Sequence, residues 1–338
     1  MRKAYIGKDV IESIYLGGGT PSLLSQADLI RIFDALDKHF TLGKDPEITL
    51  EVNPDDINKS FVKQLQATPV NRLSIGVQSF RDDDLVYLNR IHSAKQAENS
   101  IRLIQDCGFP NLNIDLIFGI PTLSDDDWAF NLDTFFSLEI PHLSAYALTI
   151  EPKTALDVFI KKGEMKGVEE AKMATQFTKL IQTMRNNHYS HYEISNFCMG
   201  QQYALHNTNY WLGGNYLGLG PSAHSYNGES RQWNTANLKK YISGIENKVP
   251  VIEKEVLAVQ QKYNEYVMVS LRTIWGADKV IIENKFGIKY KNYFLDGIRK
   301  FIARDLVFIK GSSFVLTGKG QLHADGIAAE LFWPVKIK

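Results

Sequence analysis

One pattern narrows the folds open to this chain more than any other. Over the first 200 residues, short apolar runs alternate with stretches of helical spacing. The runs are 12–18, 48–54, 72–80, 111–121, 142–151 and 192–197. The spacing predicts helices near 25–40, 59–67, 82–107, 124–138 and 165–188, with Ser25 and Asp28 placed as a capping box at the first. Repeated strand–helix units imply an α/β fold, a parallel sheet with right-handed crossovers. The runs are rich in Ile, Leu and Val, as expected of parallel strands covered on both faces. Six units make an incomplete barrel.

Polar residues gather at the C-terminal ends of these runs. Gly17–Gly19 end the first, Glu51 and Asn53 the second, Gln78 and Ser79 the third. Asp115 interrupts the fourth, Glu151 ends the fifth, and Ser195 and Asn196 end the sixth. Barrel enzymes build their sites at that end.

The pattern changes after about residue 235. The reading is a barrel over 1–236, a linker over 237–254 and a C-terminal domain over 255–338. In the last, helices over 255–275, 278–286 and 290–304 precede a hairpin over 306–317 and a final helix over 318–331. That order is winged-helix-like. Residues 255–310 hold ten Lys/Arg against six Asp/Glu, a modest bias that reads as a small packing domain rather than a nucleic-acid site.

Composition removes several classes. Lys plus Arg and Asp plus Glu are both 38, so no global basic surface exists to release counterions from nucleic acid. Two cysteines, Cys107 and Cys198, exclude a disulfide scaffold and any centre needing three thiolates from this chain. No run approaches the ~20 apolar residues of a membrane span. The first 19 residues carry no long apolar stretch of a leader. The expected location is cytoplasmic.

Three clusters carry chemistry. Gly17-Gly18-Gly19-Thr20-Pro21 follows a strand and precedes a helix. Without Cβ atoms, the backbone can approach a ligand closely. A tight turn is the plain alternative, and no phosphate-loop spacing is present. Glu51, Gln78, Arg90 and Asp115 would place two acids, an amide and a guanidinium around one mouth, a set suited to a zwitterionic, ribose-bearing ligand. HNTNYW over 206–211 offers His206 as an iron ligand beside the flat faces of Tyr210 and Trp211. From spacing alone it reads as a loop histidine beside packed aromatics. NYLGLGPSAHS over 215–225, with His224 near its end, reads as a turn or as a loop closing over a ligand. His188 and His191 read as structural, and Cys107 and Cys198 as packing residues.

IYLGGGTPSLL, LEVNP, SIGVQSF, NIDLIFGIP, YALTIEP, YEISNF, HNTNYW and YLGLGPSAHS occur in this order. The set resembles the HemW-type haem chaperones, radical S-adenosylmethionine proteins related to oxygen-independent coproporphyrinogen III oxidase. The similarity runs from about Ile11 into the C-terminal domain. HNxxYW and YEISNF resemble the chaperone branch rather than the oxidase. The resemblance implies a partial (β/α)6 TIM-like barrel and a helical C-terminal domain. It implies that Gly18, Gly19 and Thr20 contact the methionyl part of S-adenosylmethionine. Glu51, Gln78, Arg90, Asp115, Ala147 and His224 match further positions around that cofactor. His206 lies in the motif associated with haem, together with Asn207, Tyr210 and Trp211. The implied partners are haem and haem-requiring apoproteins, with transient membrane-side contact and no nucleic acid. No residue is assigned a catalytic role.

The family also carries CxxxCxxC upstream of GGGTP, whose thiolates hold a [4Fe–4S] cluster. Here no cysteine precedes Cys107, and Gly17 follows only 16 residues. The expectation is a barrel lacking its first strand, from a reading frame that starts late rather than from a cluster-free relative, and a chain unable to cleave S-adenosylmethionine reductively. Haem binding and delivery is the expected function. The alternative is oxidative decarboxylation of coproporphyrinogen III. A plain small-molecule-binding barrel is a third reading.

Overall fold

The structure is a computed structural model and describes residues 1–334. The last four residues of the expected C-terminal domain, 335–338, lie outside the described residues. Two compact units emerge. The first comprises 13–35 and 46–203. The second comprises 1–12, 36–45 and 204–338. They differ from the collinear ranges 1–236, 237–254 and 255–338. In the second unit the Arg2 guanidinium bonds Asn234 Oδ1 at 2.8 Å and Gln232 Oε1 at 2.7 Å, and Tyr5 donates to the Ser230 carbonyl at 2.5 Å. These bonds draw the N-terminal residues to the segment after 204.

The first unit is built on a seven-stranded sheet in the order β1-β2-β3-β4-β5-β7-β6. Its strands are β1 (Val10–Leu16), β2 (Thr41–Val52), β3 (Arg72–Gln78), β4 (Leu112–Phe118), β5 (His142–Ala147), β6 (Tyr189–Glu193) and β7 (Asn196–Met199). Pairing from β2 through β5 is parallel, whereas β7 runs antiparallel to β5 and to β6. The expected single strand over 192–197 is therefore the middle of a hairpin. Glu193 turns the chain there: its carboxylate accepts from Ser195 N at 3.1 Å and from the Asn196 amide.

The helices follow their apolar spacing. They are α1 (Gln26–His39), α2 (Lys59–Gln66), α3 (Asp82–Tyr87), α4 (Ala94–Asp106), α5 (Asp125–Ser137), α6 (Ala155–Lys161) and α7 (Glu170–Asn186). Ser124 starts α5 with a capping box to Asp127, as the Ser/Asp spacing favours. Ser25 accepts from Asp28 N at 3.1 Å at the head of α1. The single helix expected over 82–107 is two. Asn89 takes φ +54 between them, a left-handed conformation that an Asn tolerates and a helix interior does not. Ser93 then caps α4 by accepting from Gln96 N. The buried positions Ala97, Ile101 and Ile104 of α4, and Trp128, Leu132 and Phe135 of α5, repeat at helical spacing.

The strands are not apolar on both faces. Leu73, Ile75 and Val77 of β3 alternate with Arg72, Ser74 and Gln78, and Leu112, Ile114 and Leu116 of β4 alternate with Asn113 and Asp115. Both sets are largely buried. One face carries aliphatic side chains. The other carries polar ones that must satisfy each other, because a buried polar group without a partner costs about 1–3 kcal/mol.

They do so in a continuous chain. Asn113 Nδ2 lies 2.7 Å from Ser74 Oγ and 2.8 Å from Asp115 Oδ1. His142 Nδ1 lies 2.5 Å from Asn113 Oδ1, and its Nε2 lies 2.8 Å from the Tyr192 hydroxyl. Ser144 Oγ bonds Asn196 Oδ1 at 2.7 Å. The register explains the contacts, since Ser74 faces Asn113, Asn113 faces His142 and Ser144 faces Asn196 across neighbouring strands. An amide oxygen only accepts, so His142 carries its proton on Nδ1 and Tyr192 donates to Nε2. Burial holds the His142 pKa well below the ordinary histidine value, which keeps this neutral tautomer.

The second unit holds α8 (Leu205–Trp211), then a three-stranded sheet of β8 (His224–Tyr226), β9 (Ser230–Asn234) and β10 (Ile252–Val256) in the order β10-β9-β8. Between β9 and β10 runs α9 (Leu238–Glu246), inside the expected linker. Then come α10 (Val259–Leu271), β11 (Ala277–Asp278), α11 (Lys279–Phe286), α12 (Ile288–Ala303), β12 (Val307–Lys310), β13 (Ser313–Leu316), α13 (Gly318–Gln321) and α14 (Ala324–Glu330). The second sheet of this unit has the order β11-β13-β12. Helices α10, α11 and α12 precede the β12–β13 hairpin in the order read from the sequence, with β11 added to it, and the single final helix expected over 318–331 is two, α13 and α14.

Asn113 is the hub of the polar face. Asn113→Ala is expected to lower unfolding free energy by about 2–4 kcal/mol, because Ser74, Asp115 and His142 each lose a buried partner. Chemical denaturation at neutral pH measures it. Wild-type stability in that variant would show that the polar face contributes no net stability.

Candidate functional site

The strand ends of the first unit form the site. At the end of β1, Gly18 and Gly19 have φ of +76° and +67°, values open to glycine at no steric cost. A Cβ at either would meet nothing within 4 Å, so conformation, not crowding, requires glycine there. Gly17 differs. A Cβ at that residue would lie 2.7 Å from the Tyr15 ring and 2.8 Å from Glu51 Oε1. Its bareness lets Glu51 close on the loop, where Oε2 accepts from Gly18 N at 3.2 Å and Oε1 from the Tyr15 hydroxyl at 2.8 Å. Thr20 leads into a short 3-10 turn over Pro21–Leu23. Ser22 ties that turn to the loop after β2 through Asp56 Oδ2 at 2.5 Å.

Gln78 ends β3 with φ +69 and a break in register with β4. A non-glycine residue in that region is held there by its surroundings. The next residues supply the hold. Ser79 donates to the buried Asp84 at 2.7 Å, Phe80 N donates to Asn131 Oδ1 at 2.9 Å, and Thr122 donates to Asp84 at 2.5 Å. Gly76 leaves room for the Gln78 amide, since a Cβ there would lie 3.0 Å from Gln78 Nε2.

Asp115 stands mid-strand in β4. Burial raises its pKa to about 6, against the lowering by hydrogen bonds from Asn113 and Ser144. Burial likewise raises the Tyr15 and Tyr146 pKa values, with Glu51 and Asp115 each adding to the rise. Arg90, in the break between α3 and α4, is exposed. Burial of part of its guanidinium lowers its pKa, and the charges of Asp115 and Asp55 oppose that. Ala147 ends β5 opposite Phe118 and is exposed. Gly18, Gly19, Thr20, Glu51, Gln78, Arg90, Asp115 and Ala147 all lie in the first unit, and among them a hydrogen bond joins Gly18 to Glu51. The structure adds Tyr15 and Tyr146, which the sequence reading missed. Their signal was spacing by two from polar strand positions, as in Ser144-Ala145-Tyr146.

The remaining candidates belong to the second unit. His224 begins β8, exposed, and stacks on Trp233 of β9 with ring centroids 6.0 Å apart. HNTNYW is helix α8, not a loop. His206 and Asn207 are partly buried on it, and Trp211 meets Tyr210 edge to face at 5.4 Å. Tyr210 and Trp211 enter the wall of a cavity of about 690 Å³, which also takes residues from β8, β9, α10 and α11 of the same unit. His206 is not among its lining residues.

Comparison with known proteins places this geometry. The model of the radical SAM superfamily matches residues 1–134. Coproporphyrinogen III oxidase (HemN) from Escherichia coli, a radical SAM enzyme, superposes with a TM-score of 0.81 over 95% of this chain and 77% of its own, at 24% identity. The fold is therefore that of a radical SAM partial barrel with a C-terminal helical region.

Among sequence relatives, the heme chaperone HemW of Bacillus subtilis is 31% identical over 321 residues, covering 94% of this chain and 85% of the relative. That of Mycobacterium tuberculosis H37Rv is 31% identical over 97% of this chain and 82% of its own. This chain belongs to the HemW family.

The superfamily implies S-adenosylmethionine and a [4Fe–4S] cluster. The first fits the residues present: open backbone at Gly18 and Gly19, two carboxylates, an amide and a guanidinium. The second does not. Three thiolates cannot come from two cysteines, Cys107 at the end of α4 and Cys198 on β7. The Cys198 thiol is moreover pushed up to about 12 by burial. Among the described residues, no group of three or more His, Cys, Asp or Glu side chains is placed to hold a metal ion.

Asp115 sets a pH response. Its folded pKa, about 6, lies above the ordinary 3.8. The folded state therefore binds the proton more tightly, and stability contributed by this group grows as pH falls from about 7 to 4. Asp115→Asn is expected to raise stability at pH 7, by on the order of 1–3 kcal/mol, and to flatten that slope. Denaturant midpoints for both proteins across pH 4–8 test it. Parallel slopes would show that Asp115 titrates at its ordinary value.

Proposed function

We propose that this chain binds haem as cargo and delivers it to haem-requiring apoproteins, on a radical SAM scaffold whose own residues do not supply the cluster site. One observation carries the reading. HNTNYW folds as α8 and sets Tyr210 and Trp211 in the wall of a cavity of about 690 Å³, in a chain whose relatives include heme chaperones. Aromatic faces suit the macrocycle and an imidazole suits the iron. In this reading His206 is the iron ligand, with Asn207, Tyr210 and Trp211 beside it. We place the chain in the cytoplasm, with transient contact to membrane-side recipients. Among the described residues no helix is long and apolar enough to cross a membrane.

Haem titration followed in the Soret region tests the proposal. A one-to-one complex is expected. His206→Ala should weaken it by more than the roughly 10–100-fold that loss of a mere supporting residue costs a metal site. A spectrum unchanged on adding haem overturns the reading.

In the first unit we assign Gly18, Gly19 and Thr20 to the methionyl end of S-adenosylmethionine. Glu51 and Asp115 are assigned to its ammonium and hydroxyl groups, Arg90 to its carboxylate, and Gln78 and Ala147 to the same pocket. His224 belongs to the second unit and is not part of this assignment. S-adenosylmethionine supplies one-electron chemistry only when an electron reaches it. Incubating the 338-residue chain with S-adenosylmethionine and dithionite is expected to give bound, intact cofactor. Stoichiometric 5′-deoxyadenosine would contradict the cluster-free reading. The alternative, decarboxylation of coproporphyrinogen III, draws no support from a structural likeness at 24% identity, which concerns fold alone.

A further inference from the structure

The cavity of the second unit has a chemistry that α8 alone does not explain. Its volume, about 690 Å³, lies within the roughly 300–1,000 Å³ of small-molecule and cofactor sites. Seven aromatic residues line it, four of them on helices. Tyr210 and Trp211 come from α8, Tyr266 from α10 and Phe286 from α11. Tyr210 and Trp211 are in ring contact, as are Tyr266 and Phe286, the latter pair with centroids 5.8 Å apart. Flat apolar faces supplied by separate elements favour a planar ligand over an aliphatic one.

The charges sort into spent and unspent. Arg231 is held by Glu265 at 2.6 Å and Lys262 by Glu229 at 2.6 Å. Asp278 accepts from Val280 N at 2.6 Å and from the Ser312 hydroxyl at 2.6 Å, neutral donors that leave its negative charge in place. It is the cap of α11, not a ligand group. Two lining cations remain, Lys285 on α11 and Lys310 on β12. Among the described residues neither stands in an ion pair. Against the one carboxylate of Asp278, two ammonium groups outside any ion pair leave the lining net positive, which favours an anionic ligand, and the two lysines can each meet one carboxylate.

We propose that this cavity seats a flat tetrapyrrole dicarboxylate, its ring against Tyr210, Trp211, Tyr266 and Phe286 and its carboxylates on Lys285 and Lys310. The inference rests on the haem reading and extends it: the ring is read by α8, α10 and α11 and the carboxylates by Lys285 and Lys310, apart from any iron ligand at His206, which does not line the cavity. The site therefore takes the metal-free macrocycle as well as haem.

The experiment titrates the full chain with haem, with metal-free protoporphyrin IX and with its dimethyl ester, following tryptophan quenching and Soret absorbance. Lys285→Glu with Lys310→Glu is expected to weaken both free acids by about tenfold or more, the size of a lost charge-assisted contact. Lys285→Arg with Lys310→Arg should restore binding. Reversing the exposed Lys239 and Lys240 of α9, which lie outside the lining, controls for net charge and should change nothing. The ester should bind the wild type as weakly as the acid binds the reversed variant. His206→Ala should weaken haem but leave metal-free protoporphyrin unmoved. Haem binding that depends on His206 yet ignores both lysine reversal and esterification would overturn the inference and leave the haem reading standing. No binding of haem by the wild type would remove both. The lysines are exposed side chains, so loss of folding is not expected, and circular dichroism of each variant checks it.

Discussion

The first unit depends on the hydrogen bonds that Asn113 makes across three strands. Parallel strands with helices on one face leave the other face to fill a barrel interior. Here that face is polar, and it is stable because each group meets another: Ser74, Asp115, His142, Tyr192, Ser144 and Asn196 form one connected set. A half-satisfied set would cost more than an apolar core. The same set fixes where Asp115 stands, and through Asp115 the electrostatics that Tyr15, Tyr146 and Arg90 share. Scaffold and candidate cofactor site are one network here.

Much of this was legible in the sequence. The runs at 72–80, 111–121 and 142–151 contain β3, β4 and β5, and the helix read over 124–138 is α5. Gly18, Glu51 and Asp115 were identifiable because polar or flexible residues interrupted apolar runs. What escaped was the second face. NIDLIF reads as an apolar run with one acid, yet Asn113 and Asp115 are two steps of an alternation whose polar half is buried. Alternation in a parallel sheet is ordinarily taken as a sign of exposure, and hydrogen bonding between strands is invisible to a single strand's pattern. The hairpin within YEISNF and the break at Asn89 escaped for a related reason: each is set by one residue's backbone angle or side-chain bond, not by periodicity.

The cavity was illegible for a different reason. Tyr210, Tyr266, Phe286 and Lys310 are spread over 100 residues, and no local spacing joins them. Aromatic and lysine residues in the C-terminal segment carried only a modest basic bias in composition. Their meaning comes from subtraction: once Arg231 and Lys262 are paired with Glu265 and Glu229, the lining keeps two lysines against the single carboxylate of Asp278.

The tautomer of His142 has a consequence for how this interior can vary over evolutionary time. Because the Asn113 oxygen only accepts, donors run in one sense from Tyr192 through His142 to Asn113. A residue that reverses one link, such as an acceptor in place of Tyr192, leaves two lone pairs facing each other further along. A single change at 113, 142 or 192 therefore strands a buried partner unless a second position changes with it, while the aliphatic face, which has no direction, carries no such coupling.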